Sequence, residues 1–343
     1  MKILYAIQGT GNGHISRAKE IIPALMNRAR VDIAISGTES EVNLPYPIKY
    51  HFKGIPFVFG SNGGVDYFKT ITRNNLLRVL KEIKNCKVKE YDLVINDFEP
   101  ISAWACSFNN VKCVSLSHQG SLLSNKVPVP KGANFFNRLF LRFYAPADAY
   151  YGFHFEPYDE LIFPAVIRSD IRRQVIREKK YYVVYLPAYA DGKIIKVLSK
   201  IKSVKWKVFS KTATDTYRKK NVMVYPVRND RSFERSMAWC TGILCGAGFE
   251  TPAEALFLKK KLMVIPMKGQ FEQAYNAAAL EKLAVPVIQK LSAKNLHKIS
   301  QWVNSETVVV AHFPDNTQYI IDKMLTNHIV ATELSNEVLE NVG

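Results

Sequence analysis

Short β-branched apolar runs alternate along the chain with longer stretches whose apolar positions recur at helical spacing. MKILYAIQ, VDIAIS, PIKYHFKGI, DLVIND and CVSLSH read as strands, and their near-continuous apolar character is that of a parallel sheet covered on both faces. Between them, SRAKEIIPALMNRA, ITRNNLLRVLKEIKN and EPISAWACSF carry the helical period. A second series follows FPAVIRSDIRR: YYVVYLPAY, WKVFS, VMVYPV, GILCGAG, LMVIPM and PVIQ alternate with TPAEALFLKKK, EQAYNAAALEKLA and SAKNLHKISQWV. The pattern predicts an α/β chain of two tandem Rossmann-like domains facing a central cleft, residues 1–164 and 165–343, joined by a linker near Pro164 to Arg173. The last helical stretch, from about Asn316 to Asn327, is free to pack on either half.

The length of 343 residues suits two cores, and 48% hydrophobic with 22% charged residues suits a folded chain. The start, MKILYAIQGTGNGH, has neither the charge pattern nor the apolar length of a signal peptide or membrane span. Cys86, Cys106, Cys113, Cys240 and Cys245 are odd in number and form no C-x-x-C pair. A reducing cytoplasm is therefore expected, without disulfide or metal. The net charge of +17 asks for an anionic partner: nucleic acid, an anionic membrane face or an anionic small substrate, with a basic surface kept for solubility as the plain alternative. Twenty Lys and Arg meet 15 Asp and Glu up to Asp170, against 27 and 15 from Ile171 onward. The basic runs lack the motifs of nucleic-acid modules.

Ligands of doubly wound sheets bind at the carboxyl ends of strands. Five such ends carry candidate chemistry: Gly9 to His14, Asn96 to Glu99, Ser117 to Gly120 with His118, Gly246 to Thr251, and Met267 to Gln273. In GTGNGHISR, Gly11 and Gly13 allow a tight turn and close ligand approach, and His14 and Arg17 stand where a helix begins. His14 is either structural or a base. Asp97, in NDF, either caps the next helix, as Glu99 could, or holds His14 in the tautomer a general base needs. In CGAGFETPAEAL, Gly246 and Gly248 end a strand and open a helix whose N–H groups suit a diphosphate. Glu254 lies within that helix, where it can accept from a ribose diol or serve as an ordinary surface Glu. Gln270, Glu272 and Gln273 at the next helix start supply the donors and acceptors that a polyhydroxyl sugar requires, or are merely solvated.

These segments together resemble GT-B glycosyltransferases related to the MurG-type N-acetylglucosaminyltransferases and to the UDP-dependent glucosyl- and glucuronosyltransferases. The likeness spans nearly the whole chain and is most specific in GTGNGHISR and in GAGFETPAEALFLKKKLMVIPMKGQFEQAYNAAAL. It implies a nucleotide-diphosphate sugar, UDP-sugar, as donor and co-substrate, no other cofactor, and His14 as base on the acceptor hydroxyl with Asp97 beside it. Gly248, Phe249, Glu250, Thr251 and Glu254 match the donor motif by position, and Glu272 and Gln273 match the acidic-Gln pair that touches sugar hydroxyls. Gly246 stands where the plant-type branch has His, so backbone N–H groups carry more of the diphosphate. The E-x7-E motif of retaining enzymes is absent, which favours inversion. PAYADG, with Tyr189, replaces a phosphate loop, and the base-binding loop falls in PVRNDRSF, with Phe233, the Val227 backbone, and Arg228 or Arg231 as candidates.

A UDP-sugar 2-epimerase would share the architecture and the donor, and a catalytically silent nucleotide-sugar or nucleic-acid binding protein is the alternative of another class. The acceptor stays open among lipid, glycan and small molecule. Val127 to Ala147, VPVPKGANFFNRLFLRFYAPA, interleaves aromatic and basic residues as a helix at a membrane interface does, or as a core-facing helix with a basic outer face does.

Overall fold

The computed structural model describes residues 1–10, 12–37, 44–55, 74–133, 135–227 and 231–340. Strand β1 (Lys2–Gln8) leads to α1 (Asn12–Met26), β2 (Arg30–Ser36), β3 (Tyr50–Phe52), α2 (Leu76–Asn85), β4 (Leu93–Asp97) and α3 (Pro100–Asn109). There follow β5 (Cys113–Ser117), the single turn α4 (His118–Ser121), α5 (Phe135–Tyr144), β6 (Ala149–His154) and β7 (Ile162–Pro164). After the turn α6 (Ser169–Arg172) come β8 (Lys179–Tyr185), α7 (Asp191–Leu198), β9 (Lys205–Ser210), β10 (Tyr217–Lys219), β11 (Val222–Pro226) and α8 (Ser232–Trp239). The remainder is β12 (Cys240–Gly246), α9 (Glu250–Phe257), β13 (Lys261–Ile265), α10 (Phe271–Lys282), α11 (Leu296–Asn304) and α12 (Thr317–Glu340).

The first sheet runs β3-β2-β1-β4-β5-β6-β7 and the second β10-β11-β9-β8-β12-β13. Every pairing is parallel except β10 with β11. Strand order reverses between β1 and β4 and again between β8 and β12. The connections there leave in opposite directions and open a crevice at the carboxyl ends. Burial explains the apolar runs: Ile3, Leu4, Tyr5, Ala6 and Ile7 of β1 are wholly buried, and Ile15, Ala18, Ile21, Ile22 and Leu25 of α1 join the same core as Ile3, Tyr5 and Ile7.

Some elements differ from the pattern. PIKYHFKGI yields only the edge strand β3, and PVIQ gives an isolated bridge, Val264 to Val287. Strands β6, β7 and β10 are short or interrupted by polar residues and leave no clear period of their own. Residues 71–73 of ITRNNLLRVLKEIKN lie outside the described residues; α2 starts after Asn75, whose side chain accepts from the Arg78 N–H. The final helix α12 returns to α1, where Arg28 Nε and Nη2 donate to Asp322 at 2.7 and 2.9 Å. All five cysteines are buried free thiols. Among the described residues, no helix is long and apolar enough to cross a membrane.

Candidate active site

Helix α1 begins four residues after β1 ends, and its first turn puts His14 and Arg17 three residues apart on one side. Register places Asp97 of β4 beside Ile7 of β1, at the carboxyl end of the sheet and level with that turn. Phe98 then takes a left-handed conformation, φ 58°. The reversal separates two neighbouring carboxylates. Glu99 turns back to cap α3, accepting from the Ile101 and Ser102 N–H groups at 2.7 and 2.6 Å, while Asp97 is left facing α1. Capping therefore falls on Glu99.

His14 Nδ1 lies 2.9 Å from Asp97 Oδ1. Arg17 Nη2 donates to both Asp97 oxygens, at 2.8 and 2.9 Å, and its Nη1 donates to Glu250 Oε1 of the second half. Burial alone would raise the Asp97 carboxyl, but the Arg17 and His14 charges outweigh it and hold it below the usual carboxylate range. An ionised Asp97 accepts only, so the ring donates from Nδ1, which Arg17 Nη2 also approaches at 3.1 Å; a neutral imidazole in that tautomer has its lone pair on Nε2. That nitrogen faces Gln119 Nε2 at 3.3 Å, and the same amide donates to Glu272 Oε2 at 3.1 Å. Burial pushes the Glu272 carboxyl up, against the pull of His14 and Gln119. A proton acceptor thus sits one side chain away from the acidic residue at the start of α10.

A Cβ on Gly13 would lie 2.7 Å from Glu250 Oε2, the end of a side chain that would have to shift. Gly11 lies outside the described residues. His118 is buried, bonded through Nδ1 to the Phe153 carbonyl at 2.8 Å, and stacked on Phe249 with centroids 3.9 Å apart. Burial pushes its imidazole down to about 3, so it stays neutral. Its Nε2 lies 2.8 Å from the side-chain amide of Asn276, and with the Phe249 stack this sets His118 between the two halves.

On the donor side, Gly246 and Gly248 precede α9, and a Cβ on Gly248 would meet nothing within 4 Å. The turn is open to a ligand. Phe249, matched to the donor motif, instead packs at the interface against His118 and Phe155. Thr251 stands in the first turn of α9, half-buried. Glu254 is not free in the way the ribose reading requires. Only 2% exposed, it is bonded through both oxygens to Arg168, with Arg168 Nη2 to Oε2 at 2.9 Å, and the same guanidinium reaches Glu234 at 3.0 Å. Gln273 Oε1 accepts from the Met267 N–H at 2.9 Å, and buried Gln270 Oε1 has no partner. Phe233 packs on Tyr185 and Phe209. The Tyr189 hydroxyl accepts from the Leu291 N–H at 3.1 Å. Arg231 lies 3.3 Å from Asp170, and Arg228 is outside the described residues.

The structure adds three residues that the sequence reading does not name: Gln119, Arg168 and Asn276. Gln119 had a signal, its place directly after His118 at a strand end. Arg168 lies in the linker, where only its long-range partner reveals it. Among the described residues, no three His, Cys, Asp or Glu side chains converge on a place for a metal ion.

Two facing doubly wound halves with this cleft are the architecture of the GT-B glycosyltransferases. The chain belongs to glycosyl transferase family 1, whose family model matches residues 1–305; it is a glycosyltransferase. Similar solved structures include Phytolacca americana UGT2 complexed with UDP-2fluoro-glucose and pterostilbene, at 12% identity and TM-score 0.57, covering 99% of this chain and 98% of that one. Acinetobacter baumannii MurG is similar at 14% identity and TM-score 0.55, covering 94% and 98%. The Streptomyces sp. SF2575 glycosyltransferase SsfS6, complexed with thymidine diphosphate, is similar at 13% and 0.57, covering 95% and 96%. Comparison with curated proteins returns no match.

Proposed function

We propose that the chain is an inverting glycosyltransferase that moves a sugar from a nucleotide-diphosphate donor, a UDP-sugar, to an acceptor hydroxyl, with His14 as general base. The observation that carries this reading is the His14 to Asp97 bond, which holds the ring by Nδ1 and sets Nε2 against Gln119, whose amide in turn donates to Glu272. In the reaction, the acceptor O–H gives its proton to Nε2 while its oxygen forms a bond to the anomeric carbon. The bond from that carbon to the phosphate oxygen breaks, and the nucleoside diphosphate leaves from the opposite face. Asp97 stabilises the imidazolium that forms. The N–H groups at the start of α9 stabilise the leaving diphosphate. The UDP and thymidine diphosphate in the complexes of similar fold support a nucleotide donor.

Single-turnover transfer tests the base. His14→Ala should slow turnover by about a hundredfold or more while calorimetric affinity for UDP or thymidine diphosphate stays nearly unchanged. Full activity would remove the base role; lost nucleotide binding would make His14 structural.

The membrane reading of Val127 to Ala147 is supported by α5. Phe136, Leu139 and Phe143 stand three and four residues apart and are all exposed, with Arg138 and Arg142 on the same helix. We propose that this face rests on the anionic surface of a membrane, as a peripheral contact made from the cytoplasm.

A further inference from the structure

A cavity of about 900 Å³ opens between the two halves, walled by residues 130–133 ahead of α5 and, from the other half, by Tyr189, residues 266–271 and Gln289 with Lys290. Lys131, Lys193, Lys268 and Lys290 all line it, and no Asp or Glu does. Asp191, two residues from Lys193, is turned instead toward Ser210 Oγ and the Tyr217 hydroxyl, at 2.9 and 3.3 Å. A second depression shares Lys193 and Lys290, adds Lys196 and Lys200, and again has no acidic residue in its wall. Lys193 to Lys200 spans about 10 Å along and just past α7.

Some basic side chains are matched with acids, as in Lys49 with Asp32, Arg78 with Glu82 and Lys126 with Asp159. None of the six cavity lysines has a carboxylate partner among the described residues. Ammonium groups gathered around one void repel one another, and exposed lysines spread over a surface would avoid that. The arrangement is neutralised by a ligand with several negative charges. None of the residues from Gly246 to Glu250 lines the cavity, so it is distinct from the donor turn, yet Gln270 and Phe271 in its wall lead directly into Glu272.

We propose that this cavity binds the acceptor through two or more phosphate groups, presenting the acceptor's hydroxyl toward His14. The proposal rests on the transferase reading for the word acceptor, and on the cavity alone for the phosphates.

Isothermal titration with inorganic phosphate, tripolyphosphate and UDP tests it. Tripolyphosphate should bind at least tenfold more tightly than phosphate. Lys193→Gln with Lys290→Gln should lower its affinity at least tenfold, leave UDP affinity within twofold, and leave the unfolding midpoint in place. Lys205→Gln with Lys219→Gln, a basic pair elsewhere on the surface, should change neither. Equal losses in both double variants, or no preference for tripolyphosphate, would overturn the site. If UDP displaces tripolyphosphate and loses affinity in parallel, the cavity holds the donor diphosphate and the acceptor assignment is overturned. If UDP fails to bind at all while the cavity titrates as expected, the UDP-donor reading fails and the phosphate site stands. Phosphatidylcholine vesicles with and without phosphatidic acid separate the sources. Lysine-dependent binding only to the phosphatidic acid vesicles, competed by tripolyphosphate, indicates a lipid headgroup, and binding of tripolyphosphate without vesicle binding indicates a soluble phosphorylated acceptor.

Discussion

Arg168 and Glu254 join the linker to α9, and their pairing can be measured as a coupling energy. Removing one partner of a buried ion pair costs about 3 to 5 kcal/mol, because the other charge is left uncompensated. The Arg168 side chain is 20% exposed and keeps Glu234, so water and the second carboxylate soften its loss. Arg168→Met and Glu254→Gln should therefore each cost about 2 to 3 kcal/mol in urea unfolding. The double variant should cost less than the sum by at least 1 kcal/mol, since its second change removes a charge already stranded. The same variants decide the ribose question. If the carboxylate of Glu254 accepts from a ribose diol, Arg168→Met frees it and tightens UDP, while Glu254→Ala weakens UDP by about 1 to 3 kcal/mol. Additive stability losses would refute the buried coupling. Weaker UDP binding in Arg168→Met would show that the guanidinium, not the carboxylate, meets the donor.

Two further outcomes follow from named contacts. The folded state holds Asp97 below its unfolded value, so in the acid window between the two values the unfolded chain binds more protons. The stability this contributes is complete above about pH 4 and is lost as pH falls through the folded value, so Asp97→Asn should flatten the acid limb of the urea midpoint against pH, and an unchanged limb would refute the linkage. Flotation should carry the protein with anionic vesicles at low salt and release it at high salt, and Phe136→Ser with Phe143→Ser should reduce the carried fraction several-fold; equal flotation of that variant would remove α5 from the contact.

Most of the fold was legible because parallel strands buried on two faces leave apolar runs that no surface element would tolerate. Where a strand is an edge or only three residues long, as in β3 and β10, packing sets its extent and the runs carry little trace of it. The His14 to Asp97 pair was legible too, since Asp97 ends β4 and His14 opens the helix that follows β1, the strand beside it. What the spacing could not reveal is which charges arrive from far along the chain. Glu250 and Glu254 were placed correctly on one helix start, yet their partners Arg17 and Arg168 lie 233 and 86 residues away. Such pairs form only when the halves close, and nothing local records them. Gln119 is similar: a single amide becomes informative only once His14 and Glu272 flank it.

The chain passes between its halves twice, once through residues 165–178 and again between α11 and α12. Arg172 clasps the two passages together, its Nη2 donating to the carbonyls of Phe313 and Pro314 at 3.0 and 2.9 Å. A single tether would let one half swivel freely about it. Two clasped tethers resist twisting, because any torsion must shear the Arg172 bonds and drag α12 from α1. How the chain is threaded thus holds the two halves in register as much as the residues that touch between them do.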